Sequence, residues 1–317
     1  MRADITYRTT FRYSEKVTES QNQVRACPAS DATQDLHAYR IDTSPRARML
    51  RYTDAWGTHV DAFGVRAPHD LLVVDVAASV ETHPAPGITT AAPLATVEGA
   101  GFVDWHWEYL QPTRHTTIAP EVHDVARSCV DRARTVHDAV ACLAEWVNTE
   151  LTYAPGATAI GVTIAEVLER RSGVCQDFSH LLVALCRGAG IPARYVSGYF
   201  FAASDAAPAD DVDVHTVEVQ THAWVEVAVP GAGWWPVDPT NLTPVGERHI
   251  TIGRGREYDD VPPLRGAYTG SAEAEVTATV TIRRQDTGHH PAYTSDEVIQ
   301  AFPASMAVDP PRGASDQ

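Results

Sequence analysis

The stretch Arg171-Ser172-Gly173-Val174-Cys175-Gln176-Asp177-Phe178-Ser179-His180 decides how the rest of this chain is read. It leads a cysteine into an apolar run, Leu181 to Cys186, which Gly188 and Gly190 then stop, as glycine does at helix ends. Cys175 therefore stands in the first turn of a predicted helix reaching about Arg187. Unpaired backbone N–H groups give that end a partial positive charge, the setting in which a cysteine can act as a thiolate.

Working outward, Thr163 and Glu166 have capping-box spacing and predict a short helix ending near Arg171. Val122, Val125, Ala126 and Val130, then Val136, Val140, Leu143, Ala144 and Val147, recur near helical spacing, with a break between Asp131 and Thr135. After Gly190 the period becomes two. Ala193–Phe200 and His222–Val229 read as strands, Trp234–Val237 as a third, and Asp205–Asp213 as a polar loop. The turn Pro230-Gly231-Ala232-Gly233 folds the chain back, so a hairpin brings Asp238 beside His222.

A nucleophile, a base and an orienting carboxylate are what covalent acyl transfer requires, and Cys175, His222 and Asp238 supply them in chain order. Alternation along the strand puts His222, Trp224 and Glu226 on one face, which is expected to turn His222 toward the helix. The tetrahedral intermediate needs donors for its oxyanion. The Cys175 N–H is the first, with the Tyr153 hydroxyl or the Gln176 side chain as the second. Trp224 is the candidate wall of a substrate cleft. Each residue alone has a plainer reading: a lone cysteine is usually a small buried hydrophobe, an Asp before Pro often starts a turn, and tryptophans commonly fill cores. The ordered combination favours chemistry. A metal site from Cys175, His180 and His222 is disfavoured, because residues five apart on a helix point away from each other.

Ahead of this core, Ile5–Tyr13, Leu36–Asp42, Thr58–Val65 and Leu71–Val80 are β-branched, aromatic or alternating, and predict a small antiparallel sandwich. The division expected is a β-rich domain over 1–85, a Pro/Gly-rich connector over 86–120, a catalytic core over 121–285 and a partly disordered tail over 286–317. Glu275–Ile282 alternates well and is taken as the core's last strand.

The chain has 317 residues, 44% of them apolar, and a net charge of −16. That charge excludes broad binding of nucleic acid or anionic membrane. Lys16 is the one lysine, leaving few amines for self-linkage. Met1–Tyr7 lacks the apolar core of a secretory signal. Five cysteines without a CxxC pair predict reduced thiols, no structural disulfide and a cytoplasmic protein.

With those residues in place, the sequence closely resembles the bacterial transglutaminase-like proteins of the papain-like superfamily. Arg171–His180, Gly190–Tyr199, His222–Glu226 and Asp238–Asn241 carry the resemblance, which extends through His249-Ile250, Gly253-Arg254 and Arg265-Gly266 and, in the β-rich region, Pro68-His69. It implies an α+β fold, with an N-terminal antiparallel β-sandwich-like domain followed by a papain-like core whose cysteine helix packs on an antiparallel sheet. It also implies Cys175 as nucleophile, His222 as general base and acid, Asp238 as orienting carboxylate, and no metal or organic cofactor. The expected activity is acyl transfer on peptide or amide bonds through a thioester, by a protease or amidohydrolase ahead of a protein-glutamine transamidase. A transglutaminase-like scaffold or protein-binding module with an unused triad is the alternative.

Overall fold

The computed structural model describes residues 1–84, 91–156, 161–202, 216–219, 221–285 and 312–313, with the short segments 216–219 and 312–313 as backbone. The first half of the fold is built on one long strand, β1 (Arg2–Val24), whose inward positions Ala3, Ile5, Tyr7, Phe11 and Val17 are buried. It is followed by β2 (Gln34–Ser44), β3 (Leu50–Thr53), β4 (His59–Val65) and β5 (His69–Thr82). The antiparallel pairing is continuous with the expected sandwich. Residues 2–12 of β1 pair with β5, whereas Ser20–Val24 pair with β4. Between them the register shifts and Glu19 takes a positive φ of 51°, so the strand changes ladders at that point.

Next come α1 (Ala100–Trp105), α2 (Pro120–Val130), α3 (Val136–Glu150), the two-residue strand β6 (Thr152–Tyr153), α4 (Ile164–Arg170), the equally short β7 (Ser172–Gly173) and α5 (Cys175–Gly188). Thr163 and Glu166 form the capping box at α4 that the spacing predicts. Thr135 and Asp138 form another at α3. The expected connector is not bare chain. Val97 is buried, and Leu94 and Phe102 pack on the helical core.

A four-stranded antiparallel sheet follows, in the order β11 (Gly233–Val237), β10 (Thr221–Val229), β8 (Ala193–Phe200) and β12 (His249–Gly255). Val225, Val227 and Val229 of β10 share a dry core with Leu181, Leu182 and Leu185 of α5. The valine face of β10 is thus the one laid on the helices. Trp224 lies against His249 and Glu226 pairs with Arg194 and Arg254. Apolar burial makes the valines the core side of β10, while His222, on the other face, still reaches Cys175 at the start of α5.

The chain then returns to its beginning. β13 (Leu264–Thr269) pairs with Thr18–Val24, and β14 (Ala274–Gln285) pairs with Arg2–Tyr13 along its whole length. Residues 264–285, expected within the catalytic core, therefore complete the N-terminal sheet. β9 (Thr216–Val219) adds to β14, and β15 (Arg312–Gly313) pairs in parallel with β13. Alternation in Glu275–Ile282 identified a half-buried strand, but a period of two carries no information about which sheet receives it. The polar loop over Asp205–Asp213 and nearly all of the tail lie outside the described residues.

One expectation is overturned outright. Cys129 and Cys142 form a disulfide, with Cα atoms 5.8 Å apart. The residues sit on successive helices, so folding closes a separation of 13 residues that sequence spacing alone leaves open. The remaining cysteines, Cys27, Cys175 and Cys186, are free and buried.

Candidate active site

The chain on either side of Cys175 fixes its place. Arg171 closes α4 in the left-handed conformation, at φ 50°. β7 then runs parallel to β6, pairing Thr152 with Ser172 and Tyr153 with Gly173. Val174 enters α5 in extended conformation, and its N–H donates to the Asp177 carboxylate at 2.8 Å. Gly173 is required here, because a Cβ would come within 2.7 Å of the Asp177 side chain. The result is a sharp entry that puts Cys175 at the N-terminus of α5, 5% exposed.

His222 and Asp238 arrive from the sheet. The β10–β11 hairpin pairs Val225 with Val237, so Asp238 lies just past the last paired residue. The His222 Nε2–H donates to Asp238 Oδ2 at 2.8 Å, and both residues are buried. Nδ1, the nitrogen Asp238 does not take, is buried without a hydrogen-bond partner to nitrogen, oxygen or sulfur, and Cys175 is the group on its side whose charge acts on the ring. Burial would push the His222 ring toward its neutral form, but the charges of Asp238 and Cys175 outweigh it and raise the pKa to about 10. Burial likewise works against the Asp238 carboxylate, yet His222 and then the further donors around it hold it well below the usual carboxylate range. Those donors include His249, whose Nε2 lies 3.2 Å from Asp238 Oδ2, and the Asn241 side chain at 2.7 Å.

The other expected site residues divide. Tyr153 packs beside Cys175 because β6 pairs with β7, and burial and then the Cys175 and Asp238 charges push its phenol well above the ordinary range. Gln176 lines the small pocket over Cys175, together with Tyr195, Ser197, Thr221, Ala223 and Tyr258. Trp224 does not. It is 1% exposed and lies beneath the site, and a Cβ on Gly198 would come within 2.5 Å of its ring. A cleft wall needs an open face, and Trp224 has none, so that expectation is corrected to a core role. The pocket itself is about 20 Å³, room for roughly one water molecule.

His249 was not picked out as a functional residue by sequence reasoning. Its place in the resemblance was visible, but only the pairing of β12 with β8 brings it across from Asp238. Among the described residues, two carboxylate–histidine groups have ligand atoms close enough to hold a cation: His222, Asp238 and His249; and His115, Glu257 and Asp259. In the first, both Nε2 atoms already meet Asp238, so the donors are turned on one another. In the second, Asp259 is shared among His115, Arg114 and Arg265. Both sets read as compensated charge networks.

Residues 123–239 match the transglutaminase-like superfamily and residues 3–81 match the bacterial transglutaminase-like N-terminal region. An uncharacterized protein of Mycobacterium leprae is 36% identical over 283 residues, covering 89% of this chain and 99% of its own. A protein-glutamine gamma-glutamyltransferase of Pseudomonas aeruginosa is 36% identical over 123 residues, which are 36% of this chain and 18% of that protein. A crystal structure from Cytophaga hutchinsonii, provisionally named a cysteine protease, superposes with a TM-score of 0.72 at 20% identity, over 93% of this chain and 94% of that one. The α+β architecture, the cysteine at a helix start and the full-length relative together place this chain in the bacterial transglutaminase-like family.

Proposed function

We propose that the protein is a cysteine-dependent acyl-transfer enzyme acting on peptide or protein amides, with water as the preferred acceptor. The observation that carries this reading is the buried chain Cys175–His222–Asp238, in which a full positive charge is favoured on His222 beside the sulfur. Burying an imidazolium costs free energy, and a charged ring held beside a buried sulfur is the arrangement that activated cysteines use.

In this mechanism the Cys175 thiolate attacks the amide carbonyl carbon, and the electron pair of the C=O bond moves to oxygen. The Cys175 N–H and the neighbouring Tyr153 hydroxyl or Gln176 amide are the donors for that oxyanion. As the intermediate collapses, the C–N bond breaks and His222 gives its proton to the leaving nitrogen, forming a thioester. Water then attacks the thioester while His222 takes a proton from it. Collapse releases the carboxylic acid and restores the thiolate–imidazolium pair. Asp238 holds the ring in one orientation throughout.

Amine in place of water would give transamidation, the reaction named for the Pseudomonas relative. A peptide library incubated with and without a primary amine, read by mass spectrometry, separates the outcomes. Cleavage or deamidation that needs Cys175 supports hydrolysis, and amine incorporation replaces it with transamidation. No turnover, with Cys175 no more reactive than Cys27 or Cys186, supports the scaffold.

A further inference from the structure

We propose that His249 is a positioning residue for the triad, acting on His222 through Asp238 as a second histidine that donates to the same carboxylate oxygen; this rests on the acyl-transfer reading above. The geometry is specific. Asp238 Oδ2 receives His222 Nε2 at 2.8 Å, His249 Nε2 at 3.2 Å and Asn241 Nδ2 at 2.7 Å. Oδ1 takes the backbone N–H groups of Thr240 at 2.9 Å and Asn241 at 3.2 Å. An ionised carboxylate offers about four lone-pair sites, so five donors saturate it.

His249 is held to one tautomer. The Gly246 N–H points at its Nδ1 at 3.4 Å, which leaves the proton on Nε2, facing Asp238. Its ring is buried between Phe200 and Trp224, with centroids 4.7 and 5.3 Å away. The charged and titratable groups around the pair are Cys175 from α5, Tyr153 from β6, Asp238 after β11 and Arg248 beside His249. Burial favours the neutral ring over the opposing pull of Asp238, and the charges of His222 and Arg248 add to it.

A neutral N–H donor spreads the charge of Asp238 without competing as a cation. The carboxylate then orients His222 but holds its proton less tightly than a bare carboxylate would. That difference matters in the step where the proton must leave for the departing nitrogen.

The test uses the full-length protein and needs no substrate. The rate of Cys175 alkylation by iodoacetamide is followed by peptide mass spectrometry from pH 5 to 10.5 in wild type, His249→Phe and His249→Gln, with thermal melting as the check of folding. His249→Phe is expected to move the profile upward by roughly 0.5–1 pH unit, part of the worth of a hydrogen bond to a charged group. His249→Gln, whose amide can still donate, is expected to return close to wild type. Superimposable profiles in folded variants, or a shift as large for Gln as for Phe, would overturn the proposal. Nitrogen NMR of labelled histidine in the wild type is an independent reading, valid even if His249→Phe does not fold. His249 protonated on Nε2 alone from pH 6 to 9 supports the role, and a titrating or Nδ1-protonated ring removes it. If wild-type Cys175 shows no elevated reactivity, the acyl-transfer reading fails instead, and the NMR result still distinguishes the two.

Discussion

At the scale of single residues, the site is an electrostatic balance that can be moved with pH. His222 has its folded pKa raised to about 10 from an ordinary 6.5. The stability it contributes is therefore complete below pH 6.5 and is lost as pH rises from there toward 10. Asp238 is shifted the other way, below the usual carboxylate range. Its contribution is complete above about pH 4 and fades as pH falls below that value. Melting temperature is thus expected to decline between pH 7 and 10 in wild type, and Asp238→Asn should flatten that decline. A wild-type melting curve independent of pH over this range would contradict the buried ion pair. Burial pushes the Cys27 and Cys186 thiols up to about 12, so Cys175 should be labelled well ahead of both at pH 6. On any amide substrate that is found, His222→Ala should cost on the order of 10²- to 10⁴-fold in kcat, the usual worth of a general acid–base.

At the scale of elements, two features tie the helical layer together, and neither was readable in the sequence. The Cys129–Cys142 link closes a short loop between α2 and α3. A loop of that size is worth about 3 kcal/mol in the chain-entropy account, so the double Cys→Ser variant should unfold in urea with a correspondingly lower midpoint. The expectation of a cytoplasmic compartment rested on five reduced thiols, and the bridge removes that ground. The other tie is Arg187 near the end of α5. Its guanidinium donates to the carbonyls of Tyr109, Gln111, Ala193 and Arg256 and to the Thr116 hydroxyl. A lysine has three donors from one nitrogen and cannot copy that fork. Arg187→Lys is expected to destabilise by about 2–4 kcal/mol through carbonyls left unpaired, measurable by denaturant titration. The sequence presented Arg187 only as the end of the predicted helix, because most of its partners, in residues 109–116 and at Arg256, are brought to it by the fold.

At the scale of the whole molecule, the two halves are not beads on a string. β1 is flanked by β5 and β4 from the N-terminal region and by β14 and β13 from the far end of the chain. Apolar residues of the four-stranded sheet, Tyr199, Ile250 and Ile252, join the same core as Phe11 and Leu72. Residues 1–85 expressed alone are therefore expected to be unfolded by circular dichroism and proton NMR. The same segment fused to 264–285 through a linker should recover strand signal, and a folded isolated 1–85 would count against this interdependence. Among the described residues, no helix is long and apolar enough to cross a membrane.

Sequence by itself determined what is local and periodic: the helix that starts at Cys175, the capping box at Thr163, the strands at Ala193 and His222, and the hairpin that delivers Asp238. These are legible because propensity, capping and alternation act over a few residues. Tertiary structure alone decided which sheet takes residues 264–285, that Cys129 meets Cys142, that Trp224 lies under the site, and that His249 shares Asp238 with His222. Each of those depends on contacts between segments far apart in the chain. Their partner is chosen by burial and pairing of the whole fold, which no local period encodes.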